Sequence, residues 1–146
     1  MKVSTKGRYG LRVMMELALR YGRGTVLVGD LAQAQDLPPK YLHVLLGSLR
    51  ASGLVRTVRG PNGGYELARD PSRITALEVV EAMEGKIQLA ACGEEGKACN
   101  RGGLCATQEL WEATAQAMTD VLGAATLTTL ADRHLQLRSQ HDHWTI

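Results

Sequence analysis

Between Pro38 and Ala68 the hydrophobic period of this chain changes abruptly, and that change restricts the fold more than any other feature. Leu42, Leu45, Leu46 and Leu49 recur at the spacing of one helix face, and Gly53 stands where a left-handed residue can end it. Immediately afterwards Leu54-Val55-Arg56-Thr57-Val58 alternates and is rich in β-branched residues. Arg59-Gly60-Pro61-Asn62-Gly63-Gly64 is a turn cluster, and Tyr65-Glu66-Leu67-Ala68 follows it. These runs predict a β-hairpin with a glycine-rich tip. Upstream, Lys6 to Tyr21 carries Val13, Met14, Leu17, Ala18 and Tyr21 at helical spacing, with Ser4 or Thr5 as its cap. A shorter helix from about Gly29 to Gln35 turns Leu31 and Ala32 inward. Asp36-Leu37-Pro38-Pro39 is a tight turn, and Pro39 suits the first position of the next helix, where its missing N–H costs nothing. Two helices joined by a short turn and followed by a hairpin make a helix-turn-helix with a two-stranded wing, in a mainly α chain.

Beyond the wing, Thr75-Ala76-Leu77-Glu78 is a capping box that opens a helix to about Glu84, with Gly85 after it. Residues 91–105 form a loop rich in glycine, charge and cysteine. Thr107 is the expected cap of a long helix to Leu122, with Gly123 as its stop and Leu110, Trp111, Ala117, Met118, Val121 and Leu122 as its apolar stripe. Such a face needs a partner. A second copy of the chain is the simplest one, and packing on the first helix is the alternative. A short amphipathic segment follows from Thr128 to Leu137. The expected organisation is a winged helix-turn-helix domain over 1–85, a cysteine-rich loop over 86–106, a long helix suited to dimerisation and a short helix over 107–137, and a polar tail over 138–146.

The charge is lopsided. Residues 1–73 carry 12 Lys/Arg against 5 Asp/Glu, and residues 74–146 carry 5 against 10. A basic half joined to an acidic half suits a nucleic-acid-binding module with a separate assembly or regulatory module. In this setting Lys2, Lys6, Arg8 and Arg56 are candidate phosphate contacts, and the exposed His43 on the third helix can reach a base edge or a phosphate. Arg59, beside the glycines of the wing tip, is placed to enter a narrow minor groove. No apolar run is long enough to span a membrane, and no apolar stretch follows the N-terminal lysines to make a signal peptide. The odd count of three cysteines suits a reducing cytoplasm rather than a disulfide framework. No G-x-x-x-x-G-K or H-E-x-x-H motif is present, and Gly60 to Gly64 lies between strands with no helix behind it to hold phosphate. The chain is not expected to be an enzyme.

Cys92, Cys99 and Cys105 all lie in one 14-residue loop, separated by six and five residues. Thiolates are soft ligands for zinc or iron–sulfur clusters. The spacing is wider than the C-x-x-C knuckles of structural zinc sites. Iron–sulfur ligation, zinc and metal-free redox thiols all remain open on the residues alone. The histidines near the C-terminus, His134, His141 and His143, read as a solvated segment, with metal ligation by His141-Asp142-His143 as the alternative.

Three stretches carry a family likeness over residues 1 to about 135: Lys6-Gly7-Arg8-Tyr9, the wing from Leu54 to Tyr65, and Cys92, Cys99 and Cys105 followed by Leu110-Trp111. In these the chain resembles the winged helix-turn-helix repressors typified by the iron–sulfur cluster regulator IscR, with the nitric-oxide sensor NsrR and the cysteine regulator CymR as relatives. The resemblance implies a homodimer on palindromic double-stranded DNA, carrying one iron–sulfur cluster (2Fe–2S or 4Fe–4S) per subunit on the three cysteines. It places Lys40, Tyr41, His43 and Val44 on the reading helix, with Arg59 and Asn62 on the wing. The chain also departs from the pattern. Its first cysteine gap is one residue longer than in IscR and NsrR. Gln108 stands where IscR has its fourth ligand, a histidine, and Arg8 stands where NsrR recruits an aspartate from the partner subunit. His43 and Val44 replace a glutamate and a glutamine of IscR, which implies a different operator sequence. CymR-like relatives lack the cysteines and depend on a partner protein.

Overall fold

The structure, a computed structural model, describes residues 3–91 and 104–142. In chain order these form α1 (Thr5–Leu19), α2 (Val28–Gln35), α3 (Pro39–Ala51), β1 (Val55–Val58), β2 (Gly64–Leu67), α4 (Ala76–Glu84), α5 (Ala106–Ala124) and α6 (Leu127–Asp142), with a 3₁₀ turn at Pro71–Arg73. The mainly α winged helix-turn-helix architecture is therefore as the periodicity requires.

Local chemistry explains the boundaries. Ser4 starts α1 by accepting the Gly7 N–H on its hydroxyl at 3.2 Å. Asp36 ends α2 in the left-handed conformation with φ 52°, which a short polar side chain tolerates. Pro38 caps α3 and Pro39 opens it. The Thr75 hydroxyl accepts from the Glu78 N–H while the Glu78 carboxylate accepts from the Thr75 N–H, completing the capping box of α4. β1 and β2 are antiparallel in the register Val55↔Leu67, Arg56↔Glu66, Thr57↔Tyr65 and Val58↔Gly64.

One core is shared by every helix except α5. Val13, Met14 and Leu17 of α1, Leu31 of α2, Leu42, Leu45, Leu46 and Leu49 of α3, Val79 of α4 and Leu127 of α6 are essentially inaccessible to solvent. Each such side chain contributes about 1.5–3 kcal/mol on burial, which is how a chain without phenylalanine is held. Gly10 lets α1 lie close on α4, because a Cβ there would fall 2.7 Å from Met83 Cγ.

The C-terminal third corrects several expectations. Cys105, not Thr107, is the N-cap residue of α5. Gly123 does not stop α5, which runs on to Ala124. The helix ends because the next residues pair across the molecule. The Ala125 carbonyl accepts the Ala76 N–H at 2.7 Å, and the Leu127 N–H donates to Ile74 at 2.9 Å. The segment expected over Thr128–Leu137 is the longer helix α6, opened by reciprocal bonds: the Thr126 hydroxyl accepts the Thr129 N–H at 3.2 Å, and the Thr129 hydroxyl accepts the Thr126 N–H at 3.1 Å. Part of the expected polar tail is thus helical, to Asp142. It is α6, rather than α5, that packs on α1, while α5 lies against α4.

Candidate nucleic-acid interface

The four leucines bury one face of α3 and so turn Lys40, His43 and Val44 outward, with Val44 55% exposed. An exposed row of a cation, an imidazole and an apolar side chain on one helix is suited to a DNA major groove. Tyr41 differs from its neighbours. It is half-buried, and its ring meets Tyr9 edge-on at 6.2 Å between centroids. The Arg12 guanidinium lies 5.3 Å from the Tyr9 centroid, a cation–π contact. This stack holds the start of α1 beside the start of α3. Arg8, near the start of α1, is exposed and donates to the Thr5 hydroxyl at 3.4 Å, and Lys6 is half-buried.

The wing is fixed to the body by backbone. Val26 and Tyr65 exchange N–H···O bonds at 2.8 Å in both directions, and the Thr25 hydroxyl donates to the Asn62 carbonyl at 2.6 Å. Gly64 makes this approach possible, since a Cβ there would fall 2.6 Å from the Val26 carbonyl oxygen. Arg59 and the Asn62 residue as a whole are exposed at the tip. Arg56 is less available than its charge implies. It faces Glu66 across the hairpin, with Nε donating to the carboxylate at 2.8 Å. Lys2 lies outside the described residues.

Of the cysteines, Cys92 and Cys99 lie outside the described residues, as does His143. Cys105 is half-buried at the head of α5. The Thr107 hydroxyl, 3.0 Å from its Sγ, and the N–H groups of Gln108 and Thr107 hold this thiol below its ordinary range. A cysteine stabilised as thiolate fits ligation of a soft metal or cluster. Gln108 donates its amide N–H to Glu112 at 2.8 Å. It borders an open groove of about 290 Å³ between α5 and Ile87, Leu89 and Ala90. Among the described residues no group of three or more His, Cys, Asp or Glu side chains is gathered to hold a metal. α5 buries none of its residues fully, and Leu110, Trp111 and Val121 are 57%, 43% and 71% exposed.

Sequence reasoning missed the Tyr9–Tyr41–Arg12 stack and the Arg56–Glu66 pair. The second could have been found by writing out the hairpin register, whereas no local pattern announces the first.

Residues 3–133 match the model of the Rrf2 family, described as an iron-dependent transcriptional regulator. The chain is 40% identical to the transcriptional regulator CymR of Bacillus subtilis over 131 residues, covering 90% of each. It is 38% identical to IscR of Xenorhabdus nematophila over 131 residues, covering 89% of this chain and 79% of that one. The solved structure of B. subtilis CymR, described as the global cysteine regulator, superimposes with a TM-score of 0.78, covering 91% of this chain and 98% of that one at 38% identity. That of T. potens IscR gives 0.75, covering 92% and 88% at 34% identity.

Proposed function

This chain belongs to the Rrf2 family of DNA-binding transcriptional regulators, and on that footing we propose that it is a homodimeric repressor whose hold on a palindromic operator is set by an iron–sulfur cluster. It is a regulator and not an enzyme. Its place of action is the cytoplasm, and no described helix is long and apolar enough to cross a membrane.

In this reading α3 lies in the major groove, where Lys40 and His43 meet base edges or phosphates and Val44 offers an apolar contact. Tyr41, braced by Tyr9, sets the depth of the helix at its N-terminal end. Arg59 enters the adjacent minor groove, Asn62 follows the wing backbone, and Lys6 and Arg8 meet phosphates. Two copies associate through the apolar face of α5, so that their reading helices address two half-sites.

The observation that carries the cluster is the concentration of all three cysteines just ahead of α5, ending on a thiol held toward thiolate. Cys92, Cys99 and Cys105 would hold one cluster per subunit, with the Gln108 amide oxygen as the candidate fourth ligand. When bound, such a cluster supplies a redox-sensitive and chemically labile centre, 2Fe–2S or 4Fe–4S. The chain's part is to connect that centre to the reading heads. Cys105 begins α5, α5 is joined to α4 through Ala125–Ala76, and α4 packs on α1 and α3. Regulation requires that the cluster favour one dimer geometry over another. Serine at Cys92, Cys99 or Cys105 should then remove the cluster and change affinity for an operator selected from random duplex DNA. Equal anaerobic binding by all three variants and the parent contradicts this.

The comparable likeness to CymR favours a second reading. There the DNA-binding dimer has no cluster, the cysteines serve as redox thiols or zinc ligands, and a partner protein or effector sets activity. Bound zinc without visible absorption in an anaerobic preparation supports it.

A further inference from the structure

Arg12, Glu16 and Arg20 of α1, Gln35 at the end of α2, and His134 and Arg138 of α6 line a cleft of about 620 Å³ that neither DNA reading nor the cysteines use. Gln35 is 5% exposed, the single buried polar side chain among the described residues. It braces the cleft wall. Its Oε1 accepts from Arg12 Nε at 3.0 Å, and its Nε2 donates to Glu16 Oε2 at 3.3 Å. Glu16 Oε1 in turn accepts from Arg20 Nε at 2.7 Å. One carboxylate thus answers three guanidinium groups. It is spent on Arg20, and among the described residues Arg12 and Arg138 have no carboxylate partner. His134 and Arg138 stand one turn apart on α6 and add further nitrogens from the opposite wall. A concave surface with two guanidiniums that lack a carboxylate partner, of which Arg12 is held in place by Gln35 and the Tyr9 ring, attracts oxyanions.

We propose that this cleft binds a small molecule carrying two oxyanion groups, carboxylate or phosphate, bridging Arg12 and Arg138. The site is tied to the reading helix. Arg12 also sits on the Tyr9 ring, and Tyr9 abuts Tyr41 of α3. An anion that engages Arg12 competes for the same guanidinium and so bears on the position of α3. It also links α6 to the unit formed by α1 and α2.

The test is titration of the full chain, free of DNA, with sodium pyrophosphate and separately with sodium succinate at constant ionic strength, followed by calorimetry and thermal melting. At least one dianion should bind and raise Tm, and the better probe separates phosphate from carboxylate chemistry. Arg138→Glu, at an exposed helix position, should keep the ligand-free Tm and weaken binding by about tenfold or more. Arg138→Gln serves if the reversal alters the fold. The bound dianion should also change operator affinity for the parent but not for the variant. No binding beyond a sodium chloride control, equal binding by the variant, or an unchanged operator affinity overturns the proposal. A variant that loses duplex DNA binding in anion-free buffer as strongly as it loses the dianion marks the cleft as a DNA-backbone contact, which also overturns it. The inference rests on the DNA-binding reading only for its operator arm; the dianion titration and melting need neither cluster nor operator, so a failure to bind is separate from failure of the proposed function.

Discussion

Arg59 stands at the wing tip with no side chain of its own hairpin to pair with, whereas Arg56, three residues earlier, is tied to Glu66. The two cations should therefore behave differently on DNA. Arg59→Ala is expected to weaken the operator complex by about 1–3 kcal/mol and to relax base preference, measured by fluorescence anisotropy on operator and random duplexes. An equal loss on both duplexes that disappears at high salt assigns it to phosphate alone. Glu78 shows how a single carboxylate links charge to stability. Burial raises its pKa, but Arg69 at 2.6 Å and the Thr75 N–H and hydroxyl prevail and hold it below 4.5. A group lowered in the folded state stabilises above its unfolded pKa and loses that contribution as pH falls through the folded value. The Tm advantage of the parent over Glu78→Gln should thus be full at neutral pH and shrink below about pH 4.5. A constant gap from pH 7 to pH 3 contradicts the pairing.

The helix ends separate what local sequence can and cannot reveal. Thr75-x-x-Glu78 is a complete signal, and the structure forms the box it describes. Thr75→Ala should cost about 1 kcal/mol, measured by urea denaturation. The leucine stripe of α3, the Pro39 start and the glycine tip were legible for the same reason, since each acts within a few residues. Thr126 and Thr129 cap α6 just as reciprocally, but threonine replaces the expected glutamate, and the pattern reads as an ordinary linker. The end of α5 was illegible for a different reason. Gly123 is a plausible stop, yet the backbone from Ala125 to Leu127 is claimed by Ile74 and Ala76, which are distant in sequence. Tyr41 belongs with these cases. Its place beside the leucine stripe of α3 can be counted along the helix, but its half-burial against Tyr9 depends on how α1 crosses α3.

The molecule as a whole divides chemically as its charges do. The basic reading unit is built on a shared leucine core, and the acidic remainder ends in helices of which one, α5, has no fully buried residue. That exposed face, with Val121 71% and Leu110 57% accessible, is the dimer surface of the proposed regulator. Val121→Glu should convert the dimer to monomer in sedimentation equilibrium. Operator affinity should fall on the order of 10²-fold, because two half-sites are no longer engaged together. An unchanged mass contradicts the assignment of α5. The likeness to both IscR and CymR leaves the fold common to cluster-bearing and cluster-free readings, so the cysteines carry the distinction. The decisive measurement is the visible absorption, iron content and sulfide content of the chain purified without oxygen. A broad band toward the blue with bound iron and sulfide, lost on replacing Cys92, Cys99 or Cys105, is the predicted result. A colourless protein holding zinc or free thiols, even after reconstitution with iron and sulfide, contradicts control by a cluster.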